Sequence, residues 1–559
     1  MDPSPHHPEA SGPTWPARLL ACSVVLLFPP FLAMLLLGTR FPGLEADEAM
    51  DRAQVARRLA EGKGFTTDNV RPLSLAYHAS FDGHPDLYNA PVQPILLSLA
   101  FRSHHASDRV VSAVGCAAWV IAVWLTFAFA HGRFGPGIAA LAALFLTIDL
   151  PLLQAALAGL GAPYLACAAL LAVWAACPSG SMEGTDAPSP LRAAAAGLLS
   201  SVAMLADYRA IGLPLVLVAI VARGRRRTLR LACFVGGALL VLLPWMLRTA
   251  AWTGSPVFSV YAYESIAGTQ DRPGDSVFRS PTPPSGGPAA ILFENPQEVV
   301  RKFANGFLRL RDHLPRGVDP LVAILFFAAL LETAGAKPWR RVVGVTCWTL
   351  LLAVLASWLL RPGMEVVAAW SPLLATIAAA QIAAWARRRL SPGTPVSSTD
   401  TWDLHLIRRL EGLGPWELRW RFVALYAAAL LAVGAPLAIW ILGPKTTPDA
   451  TLGPHVQAMK HLVPAGATVV TDRPALMAWR GERRALWLPW RDKDWDRIES
   501  VCGPVDAAYV TPGLAAVPPG ERAAWWVWLV SPRGVYRDLG PAGPTPNGGA
   551  CRIRKGEPR

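Results

Sequence analysis

Eleven apolar segments recur along this chain, and that recurrence decides how most of it must fold. Their approximate limits are 18–38, 109–130, 135–150, 152–176, 191–206, 210–222, 229–247, 320–335, 341–360, 365–386 and 422–442. A run of about 20 apolar residues is long enough to cross a bilayer as a helix. The fifth and sixth are short, so they must be buried in a bundle, tilted, or only partly inserted. Charged residues make up 16% of the chain and hydrophobic ones 53%, whereas a soluble protein carries about a quarter charged. The expected fold class is mainly α: a polytopic membrane protein with about eleven transmembrane helices.

The Lys and Arg residues set the topology. Arg133, Arg192, the group Arg223, Arg225, Arg226, Arg227 and Arg230, then Lys337, Arg340 and Arg341 stand between apolar runs. Arg387, Arg388 and Arg389 follow the tenth run, and Arg419 and Arg421 precede the eleventh. With the N-terminus inside, every one of these clusters falls on the cytoplasmic side. The net charge of +13 is thus a topology signal, and nucleic acid is not an expected partner. The 22 Trp suit membrane–water interfaces. Residues 1–17 read as a disordered cytoplasmic tail, and the first span as uncleaved. Residues 18–442 form the transmembrane domain, with external loops 39–108 and 248–319.

The last segment, 443–559, reads as a small extracytoplasmic α/β domain. Its pieces are His455–Val463, Ala467–Thr471, Arg484–Leu488, Ala507–Val510 and Trp525–Leu529. It has no Gly-rich phosphate loop and serves best as a structural or acceptor-docking lid. Cys502 and Cys551 alone lie in this polar region and would be free to pair in an oxidising compartment. The Pro/Gly/Ser-rich stretch Pro281 to Pro288 gives the second external loop a flexible middle, as in loops that act as lids.

Chemistry is concentrated in the first external loop. Glu45-Ala46-Asp47-Glu48 follows the first span, and Asp47 to Glu61 reads as an amphipathic helix along the membrane surface. Asp47 is an N-cap candidate and Gly62 the stop. Acids at a helix start are often structural, favoured by the dipole. Placed outside the membrane, they also suit acid/base work. Beyond them, His84 to Leu97 runs from Pro-punctuated polar residues into an apolar stretch, as in a re-entrant or juxtamembrane element. No His/Asp/Glu spacing calls for an obligatory metal.

Five elements resemble the GT-C superfamily of membrane glycosyltransferases, most of all the branch of bacterial aminoarabinose transferases and protein O-mannosyltransferases. They are Asp47-Glu48 with Ala56-Arg57 and Glu61-Gly62-Lys63-Gly64-Phe65; Ala90-Pro91-Val92-Gln93-Pro94-Ile95-Leu96-Leu97; Leu205-Ala206-Asp207-Tyr208-Arg209; Leu243-Pro244-Trp245-Met246-Leu247-Arg248 with Gly254-Ser255-Pro256-Val257-Phe258; and the small C-terminal domain. The sequence departs from the family at Gln93, where a Tyr is usual, and at Asp207-Tyr208. No Lys precedes the Pro element.

The resemblance implies an inverting transferase that moves a sugar from a polyprenyl-phosphate carrier to an extracytoplasmic glycolipid, polymer or protein in the cell envelope. It implies a multi-pass protein of a bacterial plasma membrane. Asp47 would be the base and Glu48 its orienting partner. Arg57, His84, Arg209 and Arg248 would be candidates for the donor phosphate, and Asp86 a second acid. Two other classes stay open: a glycolipid transporter or flippase, and a non-catalytic envelope assembly protein of the same fold. Few ionisable residues at mid-depth speak against transport.

Overall fold

The computed structural model describes residues 15–178, 187–288 except 225, 293, 295–308, 317–332, 337–390 except 362 and 364, 416–444, 449–531, 536 and 538–554. The expected N-terminal tail lies outside the described residues up to residue 14. Helices dominate, accompanied by one small sheet among the described residues. Among the described residues, four helices are long and apolar enough to cross a bilayer: Asp108–Phe134, Arg227–Thr253, Arg341–Leu359 and Ala424–Leu442. Pro136–Ile148 and Leu150–Leu157 together make one more, bent by 52°. Six shorter apolar helices accompany them.

The bend revises the expected limits 135–150 and 152–176. Asp149 breaks the first run and caps the second piece, its side chain accepting from the Leu152 amide at 3.3 Å. That piece stops at Leu157, and a separate helix, Ala162–Ala176, follows. Gly159 makes the stop: its φ is +70°, and a Cβ there would lie 2.7 Å from Val111 Cγ1. Only glycine adopts that turn freely. No charged residue stands between Leu150 and Ala176, so hydropathy carried no sign of the stop at Gly159.

The sheet has six strands: β1 (Asn69–Val70), β2 (Thr468–Thr471), β3 (Arg484–Trp487), β4 (Ala507–Val510), β5 (Gly543–Pro544) and β6 (Ala550–Ile553), in the order β1-β3-β2-β4-β6-β5. β1, β3, β2 and β4 are parallel, and β6 pairs antiparallel with both β4 and β5. β1 comes from the first large loop, far before its partner in sequence: Val70 is in register with Leu486, 416 positions on. The period of two sorts side chains between the faces. Val469, Ala485, Ala507, Tyr509 and Cys551 face one core, and Val70, Val470, Leu486, Ala508 and Val510 face another. Trp525–Leu529 is not a strand but short helical turns, with Trp526 buried.

This alternation also separates the cysteines. Cys551 belongs to the first core and Cys502 packs on the second, and both are free thiols. The Cys502–Cys551 pairing that the sequence left open is not formed, and the sheet stands between the two sulfurs.

The helix after the first span covers Asp47–Ala60. Its N-cap is Ala46, so Asp47 is the first helical residue and not the cap. It does not lie open along a membrane surface either. Ala49, Met50, Ala53 and Ala56 are buried in the core shared with the C-terminal region, and Asp51, Arg52 and Gln54 are buried as well. The helix is wedged between Val92–Ser103 and Pro474–Trp479. Arg57 donates to the carbonyls of Ala478 and Trp479 at 2.8 and 2.9 Å. Asp108 adds a second clamp, accepting from Trp479 Nε1 at 2.6 Å and Arg480 Nη2 at 2.7 Å.

Candidate functional site

Asp47 and Glu48 occupy the first turn of that helix, where unpaired amides favour negative charge. Their surroundings differ. Half of the Asp47 side chain is accessible, and its Oδ1 lies 3.3 Å from Arg473 Nη2. The protein packed around it desolvates the carboxyl and raises its pKa, against the pull of Arg473 and Arg361. Glu48 pairs with Arg52 one turn on, at 2.6 Å. Burial alone would raise Glu48, but Arg52, Arg209 and Arg361 together hold it below the usual carboxylate range. The adjacent acids are thus driven in opposite directions, an arrangement that divides proton transfer from charge holding.

Glu48 borders a narrow, nearly filled cleft of about 10 Å³, whose walls include Tyr88, Asn89, Asp207, Tyr261 and Arg361. Below the cleft runs a buried polar network. Asp51 pairs with Arg71 at 2.8 Å, both side chains less than a tenth exposed. Asn89 Nδ2 bridges two acids, donating to Asp51 at 3.0 Å and to Asp86 at 2.9 Å. Gln54 donates to Asp51 and to Thr67. Arg71 also stacks on the Tyr88 ring at 3.7 Å and on Trp487 of β3 at 5.0 Å. Burial raises the Asp51 carboxyl, but Arg71 and the hydrogen bonds from it and Asn89 outweigh burial and keep it low.

The second large loop closes the other side. The Tyr88 hydroxyl donates to Glu264 Oε1 at 2.5 Å, and Arg361 Nη1 donates to the Tyr88 oxygen at 3.4 Å. Lys302, on the helix Pro296–Leu308, donates to the carbonyls of Glu264 and Leu360. Burial lifts the Glu264 carboxyl above its ordinary value. Arg361 therefore stands among Tyr88, Glu48 and Glu264, and its charge acts on Asp47 too.

The cations singled out from the sequence fare differently. Arg57 is ten residues along the helix from Asp47, about 15 Å, and its Nη1 and Nη2 are turned to the carbonyls of Trp479 and Ala478. His84 is fully buried, with Nε2 2.7 Å from Ser74 Oγ and Nδ1 2.9 Å from the Ser80 carbonyl. Burial pushes its pKa down to about 4, so it carries no charge at neutral pH with which to attract a phosphate. Arg209 lies behind the cleft wall, gripped by Asp207 through contacts of 2.7 and 2.9 Å. Arg248 joins its helix to the first loop, donating to the carbonyls of Phe65 and Asp86 at 2.9 Å and stacking on Phe65 and Trp245. Asp86 is a turn residue, accepting from the amides of Tyr88 and Asn89. Among the described residues no group of three His, Cys, Asp or Glu is arranged to hold a metal ion.

Arg361 and Arg473 were not anticipated. Arg361 had a signal: it ends the ninth apolar run on the side where cations are scarce. Arg473 had none.

No protein-family model and no curated protein matches the sequence significantly. Solved structures do match the fold. ArnT from Cupriavidus metallidurans bound to undecaprenyl phosphate is 13% identical, with a TM-score of 0.53 over 96% of this chain and 98% of that one. The archaeal oligosaccharyltransferase AglB from Archaeoglobus fulgidus, in complex with an inhibitory peptide and a dolichol-phosphate, is 14% identical, with a TM-score of 0.52 over 89% of this chain and 70% of its own. At these identities the likeness speaks for architecture: the chain is built on the GT-C fold.

Proposed function

We propose that this protein is an inverting glycosyltransferase that takes a sugar from a polyprenyl-phosphate carrier and delivers it to an extracytoplasmic glycolipid, polymer or protein. The observation that carries the reading is Asp47: an accessible carboxylate with a raised pKa, at a helix start beside a cleft edged by Arg361. Two neighbours in fold hold undecaprenyl phosphate and dolichol-phosphate, which supports a lipid-linked donor.

In this reading Asp47 takes the proton of the acceptor hydroxyl. The freed oxygen attacks the anomeric carbon from the face opposite the phosphate, the sugar–phosphate bond breaks, and configuration inverts. Base catalysis of this kind contributes about 10²–10⁴-fold. Arg361 meets the charge on the departing phosphate, a task for a fixed cation in a site shielded from water. Glu48 stays ionised and fixes Arg52 at the cleft wall.

The same reading places the chain in a bacterial plasma membrane with its N-terminus cytoplasmic and 443–559 outside. Four long helices, one bent pair and six shorter apolar helices support eleven spans between residues 18 and 442. The test is to purify the protein in mild detergent, identify co-purified lipid by mass spectrometry, and assay transfer from that lipid-linked sugar. The wild type transfers and Asp47→Asn retains the donor without transferring. Full activity in a folded Asp47→Asn variant overturns the assignment.

A further inference from the structure

The helix Pro296–Leu308 in the second large loop carries more apolar surface than the molecule covers. Val299, Lys302, Phe303 and Gly306 turn inward. Phe303 and Phe307 meet Trp358 edge-on, with ring centroids 5.2 and 5.5 Å away. A Cβ on Gly306 would lie 3.3 Å from Trp358 Cβ, so this helix crosses Lys337–Leu359 closely. Beside that packed face, Val300, Ala304, Phe307 and Leu308 recur at the spacing of one helical stripe. Val300 is 66% exposed, Phe307 55% and Leu308 74%. Arg301 and Asn305, also exposed, form the polar edge next to them.

The helix it crosses fixes the depth of this apolar stripe. Arg341–Leu359 is apolar enough to span a bilayer. Its 19 residues rise about 28 Å, close to the hydrocarbon thickness of about 30 Å. Trp358 is one residue from its end, at the boundary of hydrocarbon and head groups, where indoles are favoured. Lys302 donates to the carbonyl of Leu360, just past that end. Arg361 follows directly, so this is the boundary on the side of the candidate site.

We propose that Pro296–Leu308 is an interfacial helix whose partner is the bilayer surface itself. Val300, Ala304, Phe307 and Leu308 rest on the acyl chains, and Arg301 and Asn305 stand among head groups and water. Depth decides the occupant. An apolar stripe at this level already meets lipid, and a protein partner would have to displace it. The same helix holds the loop that closes the site. Lys302 donates to the Glu264 carbonyl, Glu298 accepts from the Gln270 amide at 3.0 Å, and Arg301 donates to Gln270 Oε1 at 3.0 Å. Glu264 in turn accepts from Tyr88. A helix seated in the bilayer thus anchors the wall of the site behind Tyr88. The inference rests on the membrane placement given under the proposed function, not on sugar transfer.

The test uses the full chain, one copy per phosphatidylcholine nanodisc, with an environment-sensitive fluorescent amino acid at a single position. Val300, Ala304, Leu308, Arg301 and Asn305 are labelled in turn. Leu240, 69% exposed midway along Arg227–Thr253, is the reference for bilayer contact. Phosphatidylcholine brominated on its acyl chains quenches labels that touch hydrocarbon, and aqueous iodide quenches those in water. Lipid quenching at 300, 304 and 308 exceeds that at 301 and 305 at least about threefold, and iodide gives the reverse order. The variant Val300→Asp/Leu308→Asp, which changes only exposed positions, cuts lipid quenching at 304 roughly threefold. Lipid quenching at Leu240 but not at 300, 304 and 308 overturns the inference and leaves the crossing helices in the bilayer. Absence of lipid quenching at Leu240 removes the membrane placement and the inference with it. Protection of 300, 304 and 308 from iodide only when two copies share a disc assigns the stripe to a second copy and also overturns the inference.

Discussion

Asp47 Oδ1 and Arg473 Nη2 stand 3.3 Å apart, although 426 positions of sequence separate them. The contact joins the first helix of the first loop to the turn after β2. It sets the carboxyl of the proposed base, because Arg473 is the strongest of the charges that lower a pKa raised by burial. Transfer should therefore fall on the acid side as pH drops through the Asp47 pKa, along a limb above the ordinary carboxylate value. Arg473→Gln removes the lowering charge, so the limb moves to higher pH by up to about one unit. A pH–rate profile of kcat/KM in both proteins checks it, and a limb that stays in place or moves down contradicts the assignment.

Arg361 should matter to the rate more than to the fold. Replacing it with Gln removes the cation that touches Tyr88 and acts on Glu48 and Glu264. The expected loss in kcat is about 10²–10³-fold, the usual effect of deleting one fixed donor at a developing charge. KM for the acceptor should change little. Steady-state kinetics on the reconstituted enzyme separates these terms, and an acceptor KM effect without a kcat effect refutes the role.

The pair Asp51–Arg71 is the structural counterpart of the site. Both side chains are buried, and Arg71 also stacks on Tyr88 and Trp487. Asp51→Asn leaves the guanidinium buried without its counter-charge, and such a loss costs about 3–5 kcal/mol. The double variant Asp51→Asn/Arg71→Met removes both charges and should recover part of the stability. Thermal unfolding in detergent measures both. A single variant as stable as the wild type means that the pair is not load-carrying for the fold.

His84 predicts an acid-sensitive fold. Its folded pKa is about 4, below the ordinary value of about 6.5. As pH falls, the unfolded chain takes up the proton first. The contribution is thus complete above about pH 6.5 and is lost as pH falls from there towards 4. The shift corresponds to about 3 kcal/mol. His84→Gln should be somewhat less stable at neutral pH, because two buried hydrogen bonds are disturbed, yet should show a flatter stability curve between pH 6.5 and 4. The same slope in both proteins would exclude His84 as the source.

The C-terminal region should not fold alone. Val70 of β1 belongs to the core on one side of the sheet, and Ala49, Met50, Ala53 and Ala56 belong to the core on the other. A fragment of residues 443–559 lacks all of them and exposes the free edge of β3. Calorimetry should find no cooperative transition in the fragment. A sharp transition would show an autonomous domain.

Hydropathy along the chain was enough to define a mainly helical protein with helices long and apolar enough to cross a bilayer, because that property depends on the length and polarity of local segments. The acids at Asp47 and Glu48 were legible for a similar reason: a helix start and its charges are neighbours in sequence. Which cations are available was not. His84 is neutral because distant residues bury it, Arg57 is clamped to the carbonyls of Ala478 and Trp479, Arg248 gives Nη2 to two carbonyls and leaves a buried Nη1 without a partner, and Arg209 is held by Asp207. Arg473 is brought to the site by the sheet, and Cys502 and Cys551 are separated by it. Charge state and pairing depend on burial and on distances of a few ångströms in space, and for residues hundreds of positions apart only the tertiary structure decides those distances.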